Sequence, residues 1–120
     1  MMEAPQLLRG GVYLANLHPS KGNEPGKVRP VLVLQNNWLN EFPHPTVIVL
    51  PLSSSLIDDA EPLRFRLQSR DRLHKASDAL CDQIRALDIC RITPDCLTLL
   101  TPNEMQRIEH NIQQVLGFLN

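Results

Sequence analysis

Two polar features border the most apolar segments of the chain and carry side chains that could do chemistry. Arg29 stands at the start of the apolar segment 31–34, directly after a polar loop with two glycines, and a run of three serines, Ser53 to Ser55, follows the apolar segment 46–52. A guanidinium group donates paired, charged hydrogen bonds to an oxyanion, and a hydroxyl group can add another. An arginine at a strand start is also commonly a surface charge, and a serine run is commonly a turn, so both interpretations stay open.

Motifs of several common enzyme classes are absent from the sequence. There is no phosphate-binding loop, no GxSxG nucleophile motif and no HExxH zinc motif. The three cysteines, at positions 81, 90 and 96, lack CxxC spacing, and the four histidines include no i, i+4 pair. We therefore expect no structural metal, no disulfide framework and no hydrolysis by a metal ion or a Ser-His-Asp triad.

The composition is that of one globular domain. The 120 residues are 42% hydrophobic and 21% charged, enough to bury a core in a chain too short for two cores. No apolar stretch approaches the roughly 20 residues of a membrane-spanning helix. The N-terminus lacks the basic and apolar regions of a secretory signal, which predicts a cytoplasmic protein. With a formal net charge of −1, nucleic acid would be attracted only by a local basic surface.

Ten prolines and five glycines predict many short elements, mostly strands, joined by tight turns. We expect a first strand at 12–16. Two central strands are expected at 31–34 and 46–50. Nearly all their residues are apolar, so both faces of each strand would be apolar, as in strands covered on both sides. Further strands are expected at 79–87 and 97–100.

Residues 63–67 alternate strictly between apolar and basic side chains. The alternation predicts a strand that turns Leu63 and two other apolar residues to the core, and Arg64 and Arg66 to water or a ligand. The surrounding window, 61–75, holds five basic and two acidic residues. A solvated hairpin tip is the ordinary interpretation of such a charge run, and a binding surface is the alternative.

One helix is expected at the C-terminus. Residues 101–104 supply a threonine N-cap, a proline at the first helical position and the glutamate of a capping box. Apolar residues then recur at three- and four-residue steps from Met105 to Leu119, including Leu116. This spacing predicts a helix whose apolar face packs on the sheet.

Four motifs resemble those of one protein family in their order and spacing. Residues 9–19 resemble the family's opening RGxVYxxxLxP, and residues 22–36 are similar to its GxExxxxRPxLVxxN segment. Residues 47–53 fit its second central strand, which ends in threonine or serine, and residues 77–88 resemble its SxxxxDQxRxxD block. Each motif is weak alone, but the four together span nearly the whole chain. On them the sequence is identified as a member of the MazF/PemK (Kid-type) family of toxins from toxin–antitoxin pairs.

The resemblance implies a single domain over residues 1–120 of the α+β class. Its fold would be a small, SH3-like, strongly twisted antiparallel β-barrel with a C-terminal α-helix packed on the sheet. The implied activity is that of a homodimeric endoribonuclease, an mRNA interferase, that cuts single-stranded RNA at specific sequences without a metal or other cofactor. The 2'-hydroxyl of the RNA would attack the adjacent phosphate. The implied partner besides RNA is a cognate MazE-like antitoxin, which we expect to lay an extended acidic segment across the RNA groove.

The family's site residues carry over to named positions of this chain. Its catalytic arginine falls on Arg29 and its catalytic hydroxyl residue on Ser53. The RNA-contacting positions fall on Glu24, Ser77, Asp82 and Gln83. Leu80 stands where the Kid branch has an arginine, and Asn23 where that branch has a histidine, so the general base is not assigned. In this setting the basic stretch 64–75 becomes a candidate for contacts to RNA phosphates.

A second function occurs on the same fold. A CcdB-like toxin poisons DNA gyrase by binding it through the end of its C-terminal helix, which usually closes with a tryptophan. This chain ends in Gly-Phe-Leu-Asn at 117–120 and retains Arg29 and Ser53, which favours the ribonuclease. A catalytically inactive binding module of this fold is the third alternative.

Overall fold

A computed structural model describes residues 6–17 and 28–118 of the chain, and these form seven β-strands and two α-helices. The strands are β1 (Gly11–Asn16), β2 (Val28–Val33), β3 (Thr46–Ser53), β4 (Arg64–Leu67), β5 (Ser77–Leu80), β6 (Arg85–Asp88) and β7 (Thr98–Leu99). The helices are α1 (Asn37–Asn40) and α2 (Pro102–Leu116), and a 3-10 turn follows β6 at Ile89–Arg91. None of the helices in these two ranges is long and apolar enough to cross a bilayer.

The strands form one curled antiparallel sheet in the order β4-β5-β3-β2-β1-β7, with β6 also paired to β3. Strand β3 is the centre of this arrangement because it pairs with β2 along one side and with both β6 and β5 along the other. The α+β class and the half-barrel with one C-terminal helix agree with the fold expected from the sequence.

Two prolines mark where the central ladders of the sheet stop. The pairing of β2 with β3 ends at Val31 and Pro51. Pro30 precedes Val31 in β2, and the alternation of the ladder directs its backbone nitrogen toward β3. This nitrogen carries no hydrogen, so it cannot donate to β3. On its other side β3 pairs with β6 up to Val49 and with β5 from Leu52. Pro51 lies at this change of partner, where no ladder needs its N–H.

The central strands are buried on both faces, as their apolar sequence predicts. One face of the sheet packs on α2 through Met105 and Ile108, in a cluster that also contains Val12, Leu32, Leu50, Leu52, Leu67 and Ala79. The opposite face holds a second cluster built from Tyr13, Ala15, Val31, Val33, Val47, Val49, Leu87 and Ile92. Alternate residues of β2 and β3 thus enter different cores.

Several expectations about individual segments are wrong. Leu63 is exposed rather than buried, because β4 begins one residue later, at Arg64. The strand expected at 79–87 is two strands, β5 and β6, separated by a turn that lets the chain pair with two different parts of β3. Leu116 lies at the exposed end of α2. Leu119 lies outside the described residues. The short helix α1 was not expected, because its four residues are too few to show a periodic pattern.

The N-terminus of α2 has the capping box that the sequence predicts. The hydroxyl of Thr101 accepts a hydrogen bond from the amide of Glu104 at 3.1 Å, and the Glu104 carboxylate accepts one from the Thr101 amide at 2.8 Å. The same carboxylate binds the guanidinium of Arg70 through two hydrogen bonds, at 2.6 and 2.8 Å. This contact anchors the start of α2 to the segment that follows β4.

Replacing Thr101 with alanine should therefore lower the free energy of unfolding by about 1 kcal/mol, since an N-cap hydroxyl is lost. Thr101→Ser keeps the hydroxyl and is the matched control, with little expected change. Urea denaturation of both variants at neutral pH measures the difference. Equal stability of Thr101→Ala and the unaltered protein would show that the cap contributes nothing.

Candidate functional site

Four polar side chains form a row across four neighbouring strands, which we call the polar row: Arg29 of β2, Ser53 of β3, Asp78 of β5 and Arg66 of β4. Ser53 is the direct register partner of Asp78, and Asp78 is the register partner of Arg66. Directly opposed residues in an antiparallel pair turn their side chains to the same face of the sheet. The row lies on the face opposite α2, because its neighbours Leu52, Leu67 and Ala79 all enter the cluster that packs on α2.

Arg29 and Ser53 are brought to this face by the alternation of their own strands. Arg29 is two residues before Val31, and Ser53 is two residues after Pro51, which is the register partner of Val31. Each of the two residues therefore lies two positions beyond the last pair of the β2–β3 ladder. Arg29 is half-buried, and it forms no ion pair with any described residue. The two predicted catalytic residues therefore lie on the same face of the sheet, just beyond the end of the central ladder.

The hydroxyl of Ser53 takes part in a local turn at the end of β3. Its oxygen accepts a hydrogen bond from the amide of Ser55 at 3.1 Å. The hydroxyl also donates to the Ser55 carbonyl, with 3.5 Å between the two oxygens, which is long compared with the 2.7–2.8 Å usual for such bonds. Ser53 as a whole residue is 8% exposed. The turn thus holds the oxygen in place while leaving the proton weakly bound, so the hydroxyl can donate to a bound oxyanion.

Asp78 is the buried charge of the row. It is 1% exposed, and its carboxylate accepts hydrogen bonds from Arg66 Nε, from Arg64 Nη1 at 3.1 Å and from the Ile57 amide at 3.0 Å. Arg66 also reaches Asp58 through Nη1 at 3.0 Å. Arg64 additionally donates to the carbonyl of Ser55, the residue that holds the Ser53 hydroxyl.

These contacts decide the ionisation of Asp78. Burial is the largest influence and by itself raises the pKa of the carboxyl group. Hydrogen bonds from Arg66, the Ile57 amide and Arg64 together outweigh burial, and the pKa of Asp78 is lowered from its ordinary value of 3.8. Asp78 is therefore ionised at neutral pH, and it holds both guanidinium groups in fixed positions beside Ser53.

The basic stretch 64–75 does not act as one surface. Arg64 and Arg66 belong to the cluster around Asp78, whereas Arg70 binds Glu104 and Arg72 donates to the Cys96 carbonyl. Ion pairing with acids of the fold accounts for three of these four arginines. Neither expectation, a solvated hairpin tip or one binding surface, describes the stretch, because three of its arginines are bound to acids of the fold.

The predicted RNA-contacting residues have different surroundings. Ser77 is buried on the face that packs on α2, and its hydroxyl donates to the Lys75 carbonyl at 3.0 Å. Asp82 and Gln83 are exposed in the turn between β5 and β6, where the partner of β3 changes. Glu24 lies outside the described residues. The turn that carries Asp82 and Gln83 thus lies beside β3 between Val49 and Leu52, whereas Ser77 faces away from the polar row.

Asp78 is the functional candidate that the sequence interpretation missed. The sequence does contain a signal for it. Asp78 directly precedes the apolar or small segment 79–81, and a carboxylate buried there would need positively charged partners. The alternation of β4 already turned Arg64 and Arg66 to one face. What the sequence did not give was the register that sets Arg66 opposite Asp78.

No group of three or more metal-binding side chains occurs within residues 6–17 and 28–118. Cys81, Cys90 and Cys96 are all free thiols. Burial raises the pKa of Cys81 to about 11, so this thiol stays protonated at neutral pH.

Comparison with known proteins identifies the family. A sequence profile described as PemK-like, MazF-like toxin of type II toxin-antitoxin system matches residues 8–116. The chain belongs to this family of toxins. The endoribonuclease MazF of Staphylococcus epidermidis is 36% identical over 113 residues, which cover 93% of this chain and 92% of that protein. The endoribonuclease MazF of Staphylococcus saprophyticus is 37% identical over 110 residues, covering 91% and 90%.

A solved structure shares the fold. An endoribonuclease from a mycobacterial species, in complex with its cognate antitoxin, superposes with a TM-score of 0.69 over 95% of this chain and 96% of that one, at 24% identity. At this identity the likeness shows the fold alone.

The Asp78 cluster makes a stability prediction. Removing one partner of a buried ion pair costs roughly 3–5 kcal/mol. Asp78→Asn should lower the free energy of unfolding at pH 7 by an amount near the lower end of this range, because both arginines keep some contact with water. Glu109→Gln, which breaks the exposed pair with Arg9, is the matched control and should cost less than about 1 kcal/mol.

The same carboxylate should make stability depend on pH. Because the pKa of Asp78 is lower in the folded than in the unfolded protein, its contribution is complete well above 3.8 and is lost as the pH falls through the folded value. Urea denaturation between pH 7 and pH 3 should show a steeper loss for the unaltered protein than for Asp78→Asn. Parallel curves would contradict an ionised, stabilising Asp78.

Proposed function

We propose that this protein is a toxin that cleaves single-stranded RNA at specific sequences, and that Arg29 and Ser53 are its catalytic residues. The observation that supports the assignment of the site is that these two residues lie on one face of the sheet, each two positions beyond the last pair of the β2–β3 ladder. Membership of the PemK/MazF family and the two endoribonuclease relatives support the activity. The whole chain, residues 1–120, acts as one toxin domain.

The reaction needs little from the protein because RNA carries its own nucleophile. The 2'-hydroxyl attacks the adjacent phosphorus, the bond to the 5'-oxygen breaks, and a 2',3'-cyclic phosphate and a 5'-hydroxyl result. The 2'-oxygen loses its proton to a base, and the leaving 5'-oxygen gains one. Negative charge builds up on the phosphoryl oxygens in the transition state, and fixed hydrogen-bond donors aimed at that charge lower the barrier.

Arg29 supplies the charged donors. A guanidinium group can donate two parallel hydrogen bonds to phosphoryl oxygens, and Arg29 is not held by a carboxylate of the described chain. Arginine stays protonated at neutral pH, so its role is electrostatic stabilisation rather than proton transfer.

Ser53 supplies a second donor to the same oxygens. Its oxygen accepts from the Ser55 amide, and its only other hydrogen bond is the long one to the Ser55 carbonyl oxygen, at 3.5 Å. Donating to a phosphate oxygen instead would therefore break only this weak hydrogen bond. Serine lacks the methyl group that restricts the side-chain torsion of threonine. The turn at Ser55 compensates by fixing the oxygen through the backbone.

The gyrase-binding alternative is not favoured. Both curated relatives are endoribonucleases, and they align over at least 90% of their own length. We further propose that the protein works in the cytoplasm, where mRNA is translated, and as a homodimer, as the family resemblance implies.

Purified protein incubated with long mixed RNA in EDTA should produce discrete fragments. The fragments should end in a 2',3'-cyclic phosphate or a 3'-phosphate, with a 5'-hydroxyl on the other side of each cut. Sequencing the ends gives the recognition sequence. Loss of all cutting in EDTA, with recovery on adding magnesium, would contradict the metal-independent mechanism.

Two variants test the roles in the same assay. Arg29→Ala should lower the cleavage rate at least about 100-fold, the effect of losing an oxyanion-binding donor. Ser53→Ala should lower it less, and Ser53→Thr, which keeps the hydroxyl, should remain active. The melting temperatures of Arg29→Ala and Ser53→Thr should stay close to that of the unaltered protein, and that of Ser53→Ala should fall slightly because the Ser55 amide loses its acceptor. Normal cutting by a destabilised Arg29→Ala would instead assign Arg29 a structural role.

We also propose that a cognate antitoxin inhibits the protein by covering the RNA-binding face. A structural relative was solved with its cognate antitoxin. An antitoxin segment that orders on binding loses conformational entropy, so many contacts must offset that loss. Ion pairing of Arg64, Arg66 and Arg70 within the fold weakens the reason to expect a strongly acidic segment. Arg29, which forms no ion pair with a described residue, is a basic residue that such a segment would contact.

Antitoxin and RNA should therefore exclude each other. An RNA analogue with 2'-O-methyl groups cannot be cut, and its binding can be followed by fluorescence anisotropy. Increasing antitoxin should displace it completely, with a midpoint that rises with RNA concentration. Saturating antitoxin that leaves RNA binding unchanged would rule out a shared face and leave an allosteric route.

A further inference from the structure

An open groove of about 760 Å³ lies beside the polar row, along β4 and the loop before it. Four carboxylates and three guanidinium groups line it: Asp58, Asp59, Glu61, Asp78, Arg64, Arg66 and Arg107. The lining is therefore slightly negative, which disfavours a phosphate as its ligand. It offers both hydrogen-bond donors and acceptors, which suits a neutral polar ligand.

The donors are fixed in place and only partly used. Asp78 is buried and engages Nε of Arg66 and Nη1 of Arg64. The Nη2 groups of both arginines have no acceptor among the described residues. The two side chains are 29% and 21% exposed, so solvent or a ligand can reach them. Asp78 thus acts as a positioning residue for two donors that face the groove.

The acceptor beside them is free to move. Asp58 lies 3.0 Å from Nη1 of Arg66, and its side chain is 85% exposed. Such an exposed pair contributes little to stability, so its geometry can adjust to a ligand. Arg66 and Asp58 together present a charged donor directly next to a charged acceptor.

We propose that the Arg66–Asp58 pair, with Arg66 positioned by Asp78, is a recognition site for a guanine base of the RNA substrate. Guanine carries two acceptors, N7 and O6, next to two donors, N1–H and the N2 amino group. Arginine binds the first pair of atoms in the commonest base-specific contact of proteins, and a carboxylate accepts from the second pair. Adenine and cytosine present a single donor group on that edge, and uracil presents a single N–H.

The position of this pair fits a base close to the cut. Arg66 lies two strands from Ser53 along the polar row, at about 10 Å for two strand spacings. Sequence-specific proteins read the edges of unstacked bases in single-stranded RNA. The inference rests on the proposed function, and it places the recognised guanine within one or two nucleotides of the cleaved bond.

The test uses short synthetic RNAs that contain one cleavage site, with the guanine replaced by inosine, which lacks the N2 amino group, or by 7-deazaguanine, which lacks N7. Each replacement should lower kcat/KM about 10- to 100-fold, the effect of losing one hydrogen bond to a charged group. In Asp58→Ala the inosine penalty should disappear, and in Arg66→Gln the 7-deazaguanine penalty should disappear. Each protein change is thus matched to one base atom.

Controls come from the same chain. Arg72→Gln alters an exposed arginine of the same basic stretch, and Asp95→Ala alters an exposed acid in the loop before β7. Both variants should keep both penalties. If the unaltered protein cuts RNA with no guanine preference near the cut, or if the penalties persist in Asp58→Ala and Arg66→Gln, the recognition site is wrong while the ribonuclease stands. If the unaltered protein cuts no RNA, the proposed function itself fails.

Discussion

The lack of an N–H on two prolines shapes the centre of this sheet. Pro30 ends the ladder between β2 and β3, and Pro51 lies where β3 exchanges β6 for β5. Without these breaks the backbones of the two central strands could remain paired to their ends. With them, Arg29 and Ser53 lie on one face beyond the β2–β3 ladder, while Arg29 stays paired with Ala15 of β1 and Ser53 with Asp78 of β5. A constraint on backbone hydrogen bonding thus creates the place where side-chain chemistry becomes accessible.

The buried carboxylate of Asp78 organises what surrounds that place. An ionised carboxylate removed from water needs donors, and Asp78 obtains them from two strand residues and from the amide of Ile57. The amide contact ties the loop before β4 to the sheet. Since that loop carries Asp58 and begins at the turn that holds the Ser53 hydroxyl, one buried charge links the catalytic strand, the loop and the arginines of β4.

The sequence predicted best what depends on local pattern. The capping box at Thr101, the two-faced burial of β2 and β3, and the fold class all follow from short-range signals or from motifs spread along the chain. The expectations of a buried Leu63 and of a single strand at 79–87 were wrong, because strand ends and changes of pairing partner depend on register. Register is also why Asp78 was missed: only pairing across β4 and β5 shows that two arginines neutralise it. The roles of Arg29 and Ser53 rested on resemblance, since neither residue type is distinctive alone.

The arginines of β4 have a further consequence at the margin of the sheet. Along its main path the sheet ends in β4 on one side and in the two-residue β7 on the other. An exposed edge strand offers unpaired backbone groups to other chains, and proteins blunt such edges with short strands and charged side chains. Four residues long, and carrying two guanidinium groups anchored on Asp78, β4 is a poor template for another strand. The cluster that organises the groove therefore also opposes edge-to-edge aggregation.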